Sequence, residues 1–151
     1  MSKFVQLQEK YQAEKAADYT YWANLHGMVH NIRSNFAIYL GVTPDQKINV
    51  DGEEVPVVAS GLINDHGEFQ RWAVEKLPRS ELSLTFALRV AYGDVATECV
   101  KPVKAFSMKM HSLGDTFFVK VEGFPEAFKG PVFDSLYEAL FNNTLRKIGV
   151  V

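Results

Sequence analysis

Two histidines spaced four residues apart are the closest approach to a chemical site in this sequence. His26 and His30 lie in the stretch LHGMVHNIRSN, and helical spacing would place their imidazoles side by side, with Arg33 next to them. A metal site would need a third protein ligand, but no Asp or Glu adjoins the pair, and the Arg33 guanidinium would repel a cation. The pattern therefore favours a polar helix flank or a partner contact, and His26, His30 and Arg33 are candidate binding residues.

Three other polar clusters could carry chemistry but have simpler interpretations. The DHGE sequence at residues 65–68 is typical of a turn, and the acidic VDGEE sequence at residues 50–54 lacks the ligand spacing of a calcium loop. Cys99 has Glu98 before it and Lys101 after it, so nothing nearby supplies the base of a catalytic thiol. Phosphate-cradling glycine loops and paired-cysteine motifs are missing from the sequence. We therefore predict no catalytic residue, no metal and no cofactor, and an enzyme is the less favoured class.

Composition and charge limit the compartment and the partners. The chain has 151 residues, 47% of them hydrophobic and 23% charged, which suits one globular domain spanning residues 1–151. A net charge of −2 provides no overall field to recruit nucleic acid. The lone Cys99 excludes an intramolecular disulfide, and the sequence shows neither a signal peptide nor the ~20-residue apolar run of a membrane span. These features predict a cytoplasmic protein without a membrane partner.

Helical patterns occur near both ends of the chain. Apolar residues recur at helical spacing over residues 21–40, and Gly41 followed by Pro44 predicts the end of that helix. Near the other end, Ser135 and Glu138 have the spacing of a capping box, which predicts the start of a C-terminal helix.

The segment before residue 21 also has helical spacing, with two acids on its apolar stripe. Glu14 and Asp18 would lie in a packed seam if residues 2–40 formed one helix. We therefore predict two N-terminal helices, broken near residues 17–20 with Asp18 or Thr20 as a cap. One long helix, paired with a copy of itself, is the alternative. The apolar residues of this first segment are Phe4, Leu7 and Tyr11.

The middle of the chain alternates with the period of β-strands. LSLTFALRVAY, residues 82–92, alternates apolar with small or polar side chains, and Asp51-Gly52 predicts a hairpin turn. Residues 68–77 fit either a strand or a helix, and the turn before them and Pro78 after them favour the strand. The predicted fold is α+β, with two N-terminal helices, an antiparallel meander of about five to six strands and one C-terminal helix.

The sheet face away from the predicted core combines small residues with positive charges. Arg89, Lys109 and Lys120 would form a basic stripe there with Phe118 alongside, which makes single-stranded nucleic-acid binding one alternative function. A covering helix, a second subunit or a ligand could lie against the small residues of this face, Ser83, Thr85, Ala87, Ala91, Ala105 and Ser107.

Three apolar side chains fall at positions that the pattern assigns to the surface. Ile38, Phe118 and Phe141 are therefore candidate contact residues, since exposed apolar patches mark interfaces. The leading hypothesis is a non-catalytic protein-binding domain, homo-oligomeric or part of a heteromeric complex. Immunity proteins, antitoxins, inhibitors and chaperones are of this size.

The second hypothesis is a small enzyme or small-molecule-binding protein with a pocket between the sheet and the helices. His26, His30 and Arg33 would lie at the mouth of this pocket. Its predicted lining consists of Tyr19, Tyr21, Trp22, Tyr92, Met108 and Met110.

Overall fold

The computed structural model describes residues 2–93 and 101–149. In these ranges the chain forms two α-helices, one 3-10 helix and nine strands. The helices are α1 (Lys3–Tyr39), the 3-10 turn (Val74–Lys76) and α2 (Asp134–Ile148). The strands are β1 (Lys47–Val50), β2 (Glu53–Pro56), β3 (Val58–Ile63), β4 (Phe69–Arg71), β5 (Arg79–Ser80), β6 (Ser83–Ala91), β7 (Val103–Leu113), β8 (Thr116–Val121) and β9 (Ala127–Gly130).

Seven of these strands form one antiparallel sheet. Its order is β4-β3-β6-β7-β8-β9, with β5 pairing with β6, while β1 and β2 form a separate hairpin. Strands β6 to β9 follow each other as a meander, as predicted from the alternation. The predicted α+β class, antiparallel sheet and C-terminal helix are confirmed. The sheet is larger than expected because short strands such as β5 leave too little alternation to recognise.

The predicted break between two N-terminal helices is wrong. Helix α1 is continuous for 37 residues, and Ser2 caps it by accepting a hydrogen bond from the Val5 amide at 3.2 Å. The break was predicted to keep Glu14 and Asp18 out of a packed seam. Residues 2–20 are all exposed, however, so both carboxylates are hydrated. Asp18 also accepts a hydrogen bond from the Trp22 indole at 3.2 Å, inside the helix that it was expected to end.

One hydrophobic core lies between α1, α2 and one face of the sheet. Leu25, Val29, Ile32 and Phe36 repeat along one side of α1 and are buried. Alternate residues of three neighbouring strands meet them, because successive side chains of a strand point to opposite faces. These fully buried strand residues are Leu84, Phe86, Leu88, Met108, Met110, Val119 and Val121.

Three local predictions have different outcomes. The Asp51-Gly52 hairpin is confirmed, with both residues at positive φ (53° and 84°), as a tight primed turn requires. Residues 68–77 are a strand only over β4 and then form the 3-10 turn. The capping box is wrong: α2 begins one residue before Ser135, and Phe133 at its N-cap makes no side-chain capping bond.

Candidate interaction surfaces

The first half of α1, residues 3–20, extends from the body as a fully exposed helix that we call the arm. Three of its large apolar side chains follow each other at i, i+3 and i+7. Phe4 is 58% exposed, Leu7 71% and Tyr11 62%. This spacing places them on one side of the helix, the side that further along packs on the sheet. The arm therefore carries an apolar stripe beyond the end of the sheet that buries the rest of α1.

Tyr21 holds α1 against the sheet where the arm leaves the body. Its hydroxyl donates a hydrogen bond to the Leu82 carbonyl at 2.5 Å and accepts one from the Ser112 amide at 3.2 Å. Its ring contacts Trp22 edge-on, with ring centroids 5.1 Å apart, and the Arg79 guanidinium lies 4.4 Å above the Trp22 ring. The β7–β8 turn reaches past Tyr21 as far as Ala16, where it borders a shallow hollow, and the helix continues beyond it.

His26, His30 and Arg33 lie on the flank of α1 but do not form a common set of ligands. His30 and Arg33 line a cleft of about 590 Å³ together with Asp45, Arg71 and Glu75. Arg33 donates a hydrogen bond to the Pro44 carbonyl at 3.0 Å, so it fixes the loop after α1.

The Nε2 atom of His26, in contrast, is buried and has no hydrogen-bond partner among the described residues. Burial is the main cause that lowers its pKa below the ordinary value of 6.5. The positive charges of Arg79 and His30 act in the same direction, and Glu75 opposes them. The folded protein therefore favours the neutral imidazole.

We expect the pKa of His26 to make stability depend on pH. Below 6.5 the unfolded chain binds a proton at His26 that the folded chain binds only at lower pH. The free energy of unfolding should therefore fall as pH drops below 6.5 and level off once the folded protein is protonated too. Urea unfolding between pH 5 and pH 7 should show a smaller decrease for His26→Gln than for the wild type.

His66→Gln is the matched control, because His66 is exposed in a turn. It should keep the wild-type decrease. If His26→Gln also keeps it, His26 is not the group responsible.

The outer face of the sheet brings two of the three predicted basic residues together. Lys109 and Lys120 are direct neighbours across β7 and β8. Next to them His111 stacks on Phe118, with centroids 5.0 Å apart, and the ammonium of Lys129 lies 5.9 Å from the Phe118 ring. These residues combine positive charge with one aromatic stack.

Arg89 shares that outer face but lies away from the two lysines. It is paired with Ala105, four residues along β7 from Lys109, and its guanidinium lies 4.8 Å above the Phe69 ring. Its Nε is buried without a partner among the described residues, and burial lowers its pKa, with Arg71 adding to the effect and Glu53 opposing it. The predicted basic stripe is therefore divided into two separate sites, one with Lys109 and Lys120 and the other with Arg89. Of the small residues that left room for a cover, Ala87 and Ala91 are already buried within this chain.

Phe141 and Ile38 lie on different surfaces near the junction of the two helices. Phe141 contacts Tyr39 edge-on at 6.0 Å and lines an apolar cavity of about 410 Å³ with Leu40, Leu145 and Tyr92. Ile38 is 59% exposed and does not line this cavity.

The six residues expected to line a pocket between sheet and helices do not share one pocket, and only Tyr21 and Trp22 contact each other through their rings. Tyr19 is 76% exposed on the arm, and Met108 and Met110 are core residues. Tyr92 lies at the apolar cavity near α2 instead.

The polar clusters of the loops have structural roles in this fold. The Asn64 side chain accepts hydrogen bonds from the amides of His66 and Glu68, both at 2.9 Å, and so forms the turn that contains DHGE. Asn49 does the same for the Gly52 amide at 3.0 Å. Across residues 2–93 and 101–149, no three acidic or histidine side chains are grouped as metal ligands. Cys99 lies outside the described residues.

The arm was not among the predicted contact residues, although its signal was present in the sequence. Phe4, Leu7 and Tyr11 were predicted to lie on the apolar stripe of a separate first helix, or of one long helix paired with a copy of itself. A stripe does not show where the sheet beneath it ends. No helix in the described part of the chain combines the length and the apolar character needed to cross a membrane. Comparison of the chain with known protein families, with curated proteins and with solved structures gives no match.

Proposed function

We propose that this protein is a non-catalytic protein-binding domain that docks on its partner through the arm. The observation that carries the proposal is the exposure of Phe4, Leu7 and Tyr11 on a helix that has left its own sheet. Large apolar side chains grouped on one exposed face mark an interaction site more often than a solvated surface. Their i, i+3, i+7 spacing is the pattern by which an amphipathic helix docks on a protein partner.

The stability of the arm supports the same proposal. Most helical stability in proteins comes from packing of the apolar face, and every residue of the arm is exposed. The body nucleates the arm at Tyr21, but the described residues give it only one ion pair, between Lys10 and Glu14 at 3.0 Å. An exposed pair of this kind contributes at most about 1 kcal/mol. A partner that covers the stripe would supply the missing packing.

Site-specific photo-crosslinking in the native cell tests this function. A photoreactive amino acid in place of Leu7, on the stripe, should give a discrete crosslinked protein product. The same amino acid in place of Glu9, on the opposite side of the arm, should give much less. The product should disappear when Phe4 and Tyr11 are also replaced by serine. If Leu7 crosslinks to no protein chain at all, including a second copy of this chain, the proposed function is wrong.

A further inference from the structure

We infer that the partner of the arm is the arm of a second copy of this chain, lying antiparallel to it with the two Tyr11 side chains near the two-fold axis. This inference rests on the proposed function and names its partner. It follows from the order of charges along the stripe, from the exposed Leu82 at the end of the sheet and from the area that the pairing buries.

When two copies of the arm pair, opposite charges on their stripes meet in the antiparallel orientation only. Lys3 lies at the start of the arm, whereas Glu14 and Asp18 lie on the stripe near its end. An antiparallel pair centred on Tyr11 places Lys3 of each chain beside Asp18 of the other, and it opposes the two helix dipoles favourably. A parallel pair would align Glu14 with Glu14 and Asp18 with Asp18 inside the seam, which is repulsive. Two-fold pairing also closes after two copies, as an isologous interface must.

The body supplies apolar contacts where the partner arm would end. Leu82 is 64% exposed, and its carbonyl accepts the hydrogen bond of the Tyr21 hydroxyl. Leu113, which is 75% exposed, lies at a shallow hollow beside Ala16 and Ala17 instead, on the side of α1 away from the stripe. In the antiparallel register Phe4 of the second copy lies opposite Asp18, one helical turn from Tyr21. Its ring can therefore pack at the end of the sheet near Leu82.

The area available suits a weak dimer. Phe4 and Tyr11 are 58% and 62% exposed, so each leaves on the order of 100 Å² uncovered, because aromatic residues bury roughly 150–250 Å² when enclosed. With Leu7, which is 71% exposed, the three side chains of two copies give about 600 Å², and Leu82 and the helix flanks extend the contact toward the roughly 1,000 Å² of a specific interface. The dimer predicted here is therefore one of modest affinity.

Sedimentation of the purified 151-residue chain is the first test. We expect twice the chain mass at micromolar concentrations. The variant with Phe4, Leu7 and Tyr11 all replaced by serine should sediment as a monomer. Its circular dichroism spectrum at room temperature should still be that of a folded body, and its melting temperature should no longer depend on protein concentration. The control replaces Gln6, Glu9 and Ala13 by serine, away from the stripe, and should stay dimeric. Tyr11→Ser alone should weaken association by roughly thirtyfold or more, as expected for a central aromatic contact.

Cysteine crosslinking tests the orientation. In a Cys99→Ser background, Tyr11→Cys should form a disulfide-linked dimer under mild oxidation. Phe4→Cys alone should not, whereas a mixture of Phe4→Cys and Asp18→Cys chains should crosslink to each other. Efficient Phe4→Cys homodimers without the mixed product would establish a parallel pair and overturn the inference.

The two proposals fail in different ways. A wild-type chain that stays monomeric, or a triple-serine variant that stays dimeric, overturns the second-copy inference. Crosslinking from Leu7 to a different protein would then leave the proposed function standing. Only the lack of any protein crosslink from Leu7 removes both.

Discussion

Alanine in place of Phe36 is expected to lower the free energy of unfolding by about 3–5 kcal/mol, the usual cost of removing a buried aromatic side chain. Phe36 is 1% exposed, and its ring stacks on Tyr137 with centroids 5.9 Å apart and on Tyr39 at 6.5 Å. It therefore joins the last turns of α1 to α2. Removing the ring leaves a cavity at this joint that neither helix can close without shifting.

Urea unfolding measures this effect, and it should be done in the triple-serine arm background so that association does not add to the stability. Ile38→Ala is the matched control, because Ile38 lies two residues away on the same helix and is 59% exposed. Its effect should stay within about 0.5 kcal/mol, as for ordinary surface positions. An equal decrease in the free energy of unfolding for the two variants would contradict the conclusion that Phe36 packs α1 against α2.

Tyr137 gives a second readout of the same joint. Burial raises the pKa of Tyr137 to about 12, with Asp134 adding to the effect and a hydrogen bond from Asn35 opposing it. Loss of the Phe36 ring should admit water to the phenol, so its pKa should fall toward the ordinary value of 10.0. Spectrophotometric titration of tyrosine ionisation in wild type and variant would detect the change.

Alanine at Gly61 is expected to destabilise the edge of the sheet by roughly 1–3 kcal/mol, because the added atom overpacks a closed site. Gly61 is paired with Arg71 across β3 and β4, and a Cβ there would overlap the Gln70 carbonyl oxygen and lie 2.9 Å from the Arg71 Cα. These are backbone atoms that cannot rotate away. Strand β4 would have to move, and the contact between Phe69 and Arg89 should loosen with it.

Gly27→Ala is the control for Gly61→Ala. Gly27 lies within α1, and a Cβ there would meet nothing within 4 Å. Alanine should raise the free energy of unfolding by roughly 0.5–1 kcal/mol, since glycine inside a helix costs about that much. The urea midpoint should therefore fall for Gly61→Ala and rise for Gly27→Ala. Amide hydrogen exchange should show the loss for Gly61→Ala concentrated in β3 and β4, and uniform exchange across the sheet would argue against a local clash.

The sheet could be predicted from the sequence because its signals are local. Strand β6 alternates without interruption, and Asp51-Gly52 specifies a tight turn whatever surrounds it. The course of α1 could not be predicted in the same way. Asp18 is buried or hydrated depending on where the sheet beneath α1 ends. The end of the sheet is set by strand pairings between residues that are distant from Asp18 in sequence.

The candidate contact residues show the same limit. The alternation placed Lys109 and Lys120 correctly on one face, since a period of two fixes the side of each residue. It could not show that Arg89 lies farther along that face beside Phe69, because strand register across β3, β4 and β6 brings those two together. The side of each residue follows from periodicity, whereas distances within a face follow from register.

Because α1 is unbroken, the arm and the buried half of this helix form one rigid element. About 44 Å of helix separates Leu7 from Phe36, at 1.5 Å per residue. The Tyr21 hydrogen bonds and the buried Leu25 and Val29 fix this element to the sheet between those two residues. A partner that binds the arm would therefore be held at a set angle to the body, with no flexible hinge between them.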